Sequence, residues 1–329
     1  MNQTAKVAAT KVTRKLQQMT TTTVALQRFF GTKLAMQSLM RNIPSFSDEK
    51  YYTNLRNELY ARLFTKIPYA SNPSSQALPN DGPVWIMWWQ GLDSTTDPLI
   101  LACISSIKRH AGNRPVHIVT HENYSSFVTL PSKISELLKS HVISFTYLSD
   151  YLRCALLYEH GGIWVDSSIY MTQDFDQEIS EYNFYSASRD VTPQSSAFSE
   201  RWSIYFLAST PRNPLYKYLL DCYLEYWSNV HGLVDYFLTD SIFKIAYTHI
   251  DDVQATIDRV PSNNLHCSTL QHRLNQDVDS IEPIHSTYIH KLTYKSPYRQ
   301  KTANGKPTIY NLLINGNYKL VDKAVTPRT

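Results

Sequence analysis

Four cysteines are scattered along 329 residues, at Cys103, Cys154, Cys222 and Cys267, and no Cys-x-x-Cys pair occurs. Their spacing marks no metal or redox motif, and they read as reduced core thiols of a cytoplasmic protein. Long apolar runs are missing as well. Nothing approaches the roughly 18 consecutive apolar residues of a membrane span, and no continuous h-region marks a secretory signal. The phosphate loop of nucleotide-hydrolysing enzymes, Gly-x-Gly-x-x-Gly, His-Glu-x-x-His and Gly-x-Ser-x-Gly are all absent, so four common catalytic plans have no foothold. Charge of one sign is not in excess: a net +4 gives no reason to expect a nucleic-acid binder. The first 47 positions carry no acidic residue.

What is present supports a sizeable core. Hydrophobic residues make up 43% of the chain, enough for one large domain or a domain with an appendage. Residues 1–67 read as a helical, basic N-terminal region and 84–329 as the main domain. The basic residues Lys6, Lys11, Arg14, Lys15, Arg28, Lys33 and Arg41 accompany two helical stripes, Val12/Leu16/Met19 and Leu26/Phe29/Phe30/Leu34. Three roles stay open for residues 1–41: lying on an anionic membrane surface at the inner face of the cell membrane, packing on the main domain or a second copy, or targeting. Pro44 breaks the chain, and Ser47 is placed to cap a helix over about 48–65. A Pro/Ser/Asn-rich connection follows over 68–83.

From position 84 the pattern alternates. Val84–Trp88 reads as a strand, and Asp97-Pro98 opens a helix. Val116–Thr120 is the next strand, and a short helix is expected near 133–140. Later strands are expected at Tyr182–Ser186 and Ser203–Ala208. Helices are expected from Asn213-Pro214 to about 228 and over about 233–248. Beyond 284 the chain reads as strand and loop, with a turn at Asn304-Gly305. This repetition argues an α/β fold with a mainly parallel sheet and helices on its faces.

The segment 148–172, LSDYLRCALLYEHGGIWVDSSIYMT, is the most informative. Ser149 is placed to cap a helix starting at Asp150. Gly161-Gly162 stops that helix. Ile163-Trp164-Val165 is a buried strand, and Asp166 sits at its exit, where open α/β sheets bind ligands. Asp150 and Arg153 are three apart and share one helical side.

Ser149-Asp150-x-x-Arg153 followed by Gly161-Gly162-Ile-Trp-Val-Asp166 resembles the core of nucleotide-sugar glycosyltransferases of the GT-A fold. That group includes the Asp-x-Asp sugar transferases of glycosyltransferase family 32 and the large clostridial glucosylating toxins. The chain is similar in particular to bacterial capsular polysaccharide synthesis glycosyltransferases. Val84-Trp-Ile-Met-Trp-Trp-Gln-Gly91 and His290-Lys-Leu-Thr-Tyr-Lys295 match in the same order, so the likeness spans about 84–295.

The resemblance implies a donor, a UDP-hexose, and an acceptor hydroxyl on a polysaccharide or lipid-linked glycan, with retention of configuration. Asp166 falls on the first Asp of the Asp-x-Asp pattern and Ser168 on the second. A hydroxyl is a poorer ligand for a hard cation than a carboxylate. Three arrangements follow: Mn2+ or Mg2+ held by Asp166 with help from elsewhere, weak metal binding, or lysines in place of the metal. Asp150 and Arg153 are implied at the donor nucleotide and sugar. Of Trp88 and Trp89, strand alternation lets one stack on the base. His290 is implied as a metal ligand, and Lys291 and Lys295 compete for the diphosphate. Asp240, in Tyr236-Phe-Leu-Thr-Asp240, is the candidate for orienting the acceptor. Each also has a bland reading: capping carboxylates for Asp166 and Asp240, an i,i+3 ion pair for Asp150 and Arg153, core side chains for the tryptophans and His290. A non-catalytic glycan or nucleotide-sugar binder is the rival. A glycoside hydrolase is disfavoured because Asp166 has no nearby carboxylate partner in sequence.

Overall fold

A computed structural model describes residues 19–41, 48–71, 77–175, 177–188, 201–230 and 232–326. Within them five strands form the main sheet: β1 (Val84–Met87), β2 (Val116–Val119), β3 (Gly162–Val165), β5 (Phe184–Ser186) and β6 (Phe206–Ser209), in the order β2-β1-β3-β6-β5. β1 runs parallel to β2 and β3, and β6 is antiparallel to both β3 and β5. Four strands therefore share one direction and only β6 opposes them, the mainly parallel sheet that the alternating pattern predicts. β4 (Ile169–Met171) leaves the sheet and pairs with β7 (Ile289–Lys291) as an antiparallel ribbon.

The strands are short and apolar because both faces are covered. Val84, Trp85, Ile86, Ile163, Trp164 and Val165 are buried, as expected of parallel strands between helices. Helix α4 (Pro98–His110) starts where predicted: the Asp97 carboxylate accepts from the Leu99 N–H at 2.8 Å, and Pro98 fills the first turn. Helix α6 (Phe145–His160) begins at Phe145, a turn earlier than Ser149 suggested. Phe145-Thr-Tyr-Leu148 extends the helix, so Asp150 and Arg153 sit past its first turn, in its buried middle. It packs against helix α7 (Pro214–Asn229). Gly161 and Gly162 end α6 with φ of 66° and 92°. A Cβ on Gly162 would meet the Pro83 carbonyl oxygen at 2.1 Å. Only glycine lets β3 enter this close to the residue before β1.

Helices α1 (through 19–30), α2 (Thr32–Met40) and α3 (Asp48–Leu59, continuing as a π turn over Tyr60–Phe64) carry the N-terminal region. Leu26, Phe30, Leu34, Tyr51, Tyr52 and Leu55 belong to the same buried cluster as Ile163 and Trp164. The second predicted stripe is thus spent on packing against the sheet domain. Val12, Leu16, the basic residues at 6–15, Pro44 and the Ser47 cap lie outside the described residues. No helix among the described residues is long and apolar enough to cross a membrane.

Two more sequence expectations change. The helix expected from 233 begins at Leu238 as α8 (Leu238–His249). Before it, the Asp235 carboxylate accepts from the Phe237 N–H at 2.8 Å and holds a turn. The stretch beyond 284 is not strand and loop alone. It contains β7, α11 (Ile309–Ile314) and α12 (Tyr318–Val325). Ile309, Leu313, Val321 and Val325 pack with Cys103 and Tyr170 in a second cluster. The predicted turn at Asn304-Gly305 is present, closed by the Lys301–Pro307 bridge with Gly305 at φ 77°.

Candidate active site

A cavity of about 490 Å³ opens at the carboxyl ends of the parallel strands β1 and β3, the position that the strand–helix order favours. The chain leaving β1 supplies Trp88, Trp89 and Gln90. Helix α6 supplies Phe145, Ser149, Asp150 and Arg153. The exit of β3 supplies Asp166 and Ser168, with Trp164 behind them. Tyr205, Tyr236, Phe237, Asp240, Lys291 and Tyr294 complete the lining.

Asp166 is the hub. Its own N–H donates to the Tyr205 carbonyl at 2.9 Å, and its carbonyl accepts from the Ile169 N–H at 2.9 Å. These bonds hold the turn between β3 and β4. Oδ1 accepts from Trp164 Nε1 at 3.0 Å and from Arg153 Nη2 at 3.2 Å, while Oδ2 accepts from Lys291 Nζ at 2.7 Å. Burial works against the charged form, but Lys291 and Arg153 outweigh it and hold this carboxyl below its ordinary range.

Arg153 is buried and reaches the other way as well, donating from Nη1 to Asp150 Oδ1 at 2.9 Å. Its guanidinium carbon lies 5.0 Å from the Trp164 ring centre. Its buried Nε finds no acceptor among the described residues. Asp150 also accepts from Thr239 Oγ1 at 2.8 Å, and Thr239 pairs with the Tyr223 hydroxyl. Burial pushes the Asp150 carboxyl up to about 6. Asp240 and Asp166 add to the rise, and Arg153 and Thr239 oppose it. Two carboxyls bound to one guanidinium are thereby moved in opposite directions, Asp150 by burial and Asp166 by its two cations. Asp240, buried in the first turn of α8, faces the same cavity.

Both tryptophans wall the cavity. β1 ends at Met87, so strand alternation no longer separates them. Trp88 meets Tyr294 edge-on with centroids 6.0 Å apart, and Trp89 lies 5.6 Å from Phe145. The two candidate lysines divide: Lys291 points into the cavity, whereas Lys295 is exposed and does not line it. His290 does not join the set. It pairs with Tyr170 across the ribbon and projects to the side opposite Lys291. It is fully buried, with Nε2 3.3 Å from Thr172 Oγ1. Burial pushes its pKa down to about 3, so it is neutral.

The expected Mn2+ or Mg2+ set of Asp166, Ser168 and His290 therefore does not assemble. No three His, Cys, Asp or Glu side chains converge as a ligand group among the described residues. The Lys291 ammonium bridges the other two members, bonding to Asp166 and, at 3.0 Å, to Ser168 Oγ. These residues as arranged do not fit a hard dication.

Sequence reading did not single out Trp164, Thr239, Tyr205 or Tyr236 for the site. Trp164 had a signal: it is two residues before Asp166, so strand alternation puts both on one side. The others come from a turn, a helix end and a loop with no motif.

The cavity at the carboxyl edge of the α/β sheet is thus floored by alternating carboxylates and cations and walled by tryptophans. The capsular polysaccharide synthesis protein family matches residues 35–313, and the chain belongs to that family. No curated protein matches it. Among solved structures, it resembles the PaToxG glycosyltransferase at 16% identity and a TM-score of 0.37, over 84% of this chain and 96% of that one.

Proposed function

We propose that the protein is a GT-A-type glycosyltransferase. It moves a hexose from a nucleotide diphosphate sugar, with uracil as the base, to a hydroxyl of a polysaccharide or lipid-linked glycan, with retention. The observation that carries this reading is the continuous chain Asp150–Arg153–Asp166–Lys291 along the cavity floor. Membership in a capsule synthesis family supports it.

The roles follow from the chemistry. Transfer breaks the bond from the anomeric carbon to the diphosphate oxygen, forms one to the acceptor oxygen, and releases the acceptor proton. Lys291 and Arg153 supply positive charge toward the departing diphosphate. Asp150 and Asp166 fix Arg153 and offer oxygens to sugar hydroxyls. Trp88 and Trp89 offer ring faces for the base. Asp240 orients the acceptor hydroxyl and is placed to take its proton.

The test is release of nucleoside diphosphate from a panel of UDP- and GDP-sugars with water or a glycan acceptor. Wild type releases UDP, and Asp166→Ala does not. Binding of UDP without any release from any donor would leave a non-catalytic member of the family and sink the enzyme reading.

A further inference from the structure

We infer that Lys291 is the resident cation of the donor site, so that a nucleotide diphosphate binds there without a divalent metal ion. This rests on the donor reading above. Lys291 Nζ sits 2.7 Å from Asp166 Oδ2 and 3.0 Å from Ser168 Oγ. Those are the two side chains that a strand-exit metal would have to share.

The ammonium is held there by the backbone. Lys291 pairs with Ile169 across the ribbon, its N–H donates to the Cys267 carbonyl at 2.7 Å, and the Leu292 N–H donates to the Ser168 carbonyl at 2.9 Å. His290 and Leu292 on either side are buried. A one-residue slip would therefore expose both and bury the lysine.

Charge points the same way. A carboxylate at 168 with a neutral residue at 291 would leave a doubly negative pair with Asp166. Serine at 168 removes one negative charge and Lys291 adds one positive. Together they shift the local charge by as much as a dication would. An ammonium has three N–H donors. Two are directed to Asp166 and Ser168, which leaves one for a phosphate oxygen. Arg153, fixed by Asp150 and Asp166, is the second cation of the floor.

The experiment is calorimetric titration of UDP and of GDP into the full chain, in EDTA and in Mn2+. It is done on wild type, Lys291→Ala, Lys291→Arg and the double variant Lys291→Ala/Ser168→Asp. Wild type is expected to bind UDP with the same affinity, within about threefold, in both buffers. Lys291→Ala is expected to lose about 10- to 100-fold in EDTA, the range of one charge-assisted hydrogen bond. Lys291→Arg should retain most of the affinity, and the double variant should regain it only with Mn2+. Circular dichroism reports whether each variant is folded. Where the alanine variants are not, the wild-type comparison and Lys291→Arg decide. Wild-type UDP binding that requires Mn2+ would overturn the inference and leave the donor reading standing. No binding of either nucleotide in either buffer would bring down the donor reading and the inference with it.

Discussion

Arg41 and Arg153 each bridge two aspartates beside an aromatic ring. Arg41 reaches Asp48 at 3.0 Å and Asp235 at 2.6 Å, with its guanidinium carbon 4.6 Å from the Tyr52 ring centre. Arg153 reaches Asp150 at 2.9 Å and Asp166 at 3.2 Å. Their surroundings differ. Arg41 Nη2 also donates to the Tyr52 hydroxyl, which donates in turn to Asp235. That bridge closes on itself and ties α2 and α3 to the turn before α8. The Arg153 bridge is deeper and stays open. Its Nε has no acceptor among the described residues, Asp166 passes on to Lys291 in the cavity floor, and Asp150 passes on to Thr239. The Arg41 bridge, which also borders a cavity of about 300 Å³, closes within the fold, whereas the Arg153 chain runs on to Lys291, a partly exposed cation of the candidate site.

Four changes would break or sharpen this contrast. The largest effect is expected from Arg153→Ala, which strands two carboxylates in the floor. Donor turnover should fall by at least about 100-fold, and urea unfolding should show a loss of about 3 kcal/mol. Turnover near that of wild type would remove Arg153 from the site. Asp235→Asn comes next. It should cost about 1–3 kcal/mol of stability while the Kd for UDP moves by less than about threefold. A Kd that moved with stability would mean the two bridges act as one unit.

The third change is pH. The Asp150 carboxyl titrates at about 6 in the folded chain against an ordinary 3.8. As pH falls through about 6, Asp150 takes up a proton and loosens its hold on Arg153, so UDP affinity should drop. Asp150→Asn should erase that step in a calorimetric pH series. Stability runs the opposite way. A raised carboxyl pKa favours the folded state at low pH, and that contribution is lost as pH rises from about 4 through 6. Asp150→Asn should therefore be at least as stable as wild type at pH 7 in urea unfolding, despite its weaker binding. The smallest effect is expected from Asp48→Ala. Asp48 is 51% exposed, so losing that outer contact should change unfolding free energy by no more than about 1 kcal/mol.

The same contrast explains what could be read from the sequence. The Arg153 bridge is built from residues 150, 153 and 166, inside one helix–glycine–strand segment with its own local signals. The choice between Lys291 and Lys295, and the removal of His290, depended on how β7 registers against β4. Strand pairing across more than a hundred residues leaves no mark in a local pattern. Arg41 and Asp235 are 194 residues apart, and nothing near either one announces the other. α11 and α12 were missed for a similar reason. They are short, and Ile309, Leu313, Val321 and Val325 gain their meaning only from the cluster they form with distant residues such as Cys103 and Tyr170.

The paired glycines before β3 carry a consequence for how relatives should be compared. A Cβ at Gly162 would overlap the Pro83 carbonyl, and one at Gly161 would meet the Pro211 nitrogen at 2.6 Å. Neither glycine lines the cavity, yet both stand within five residues of Asp166. What these two positions constrain is backbone volume. Invariance of the two glycines among homologues would therefore record ancestry of the fold, and would persist even in lineages that had lost the reaction.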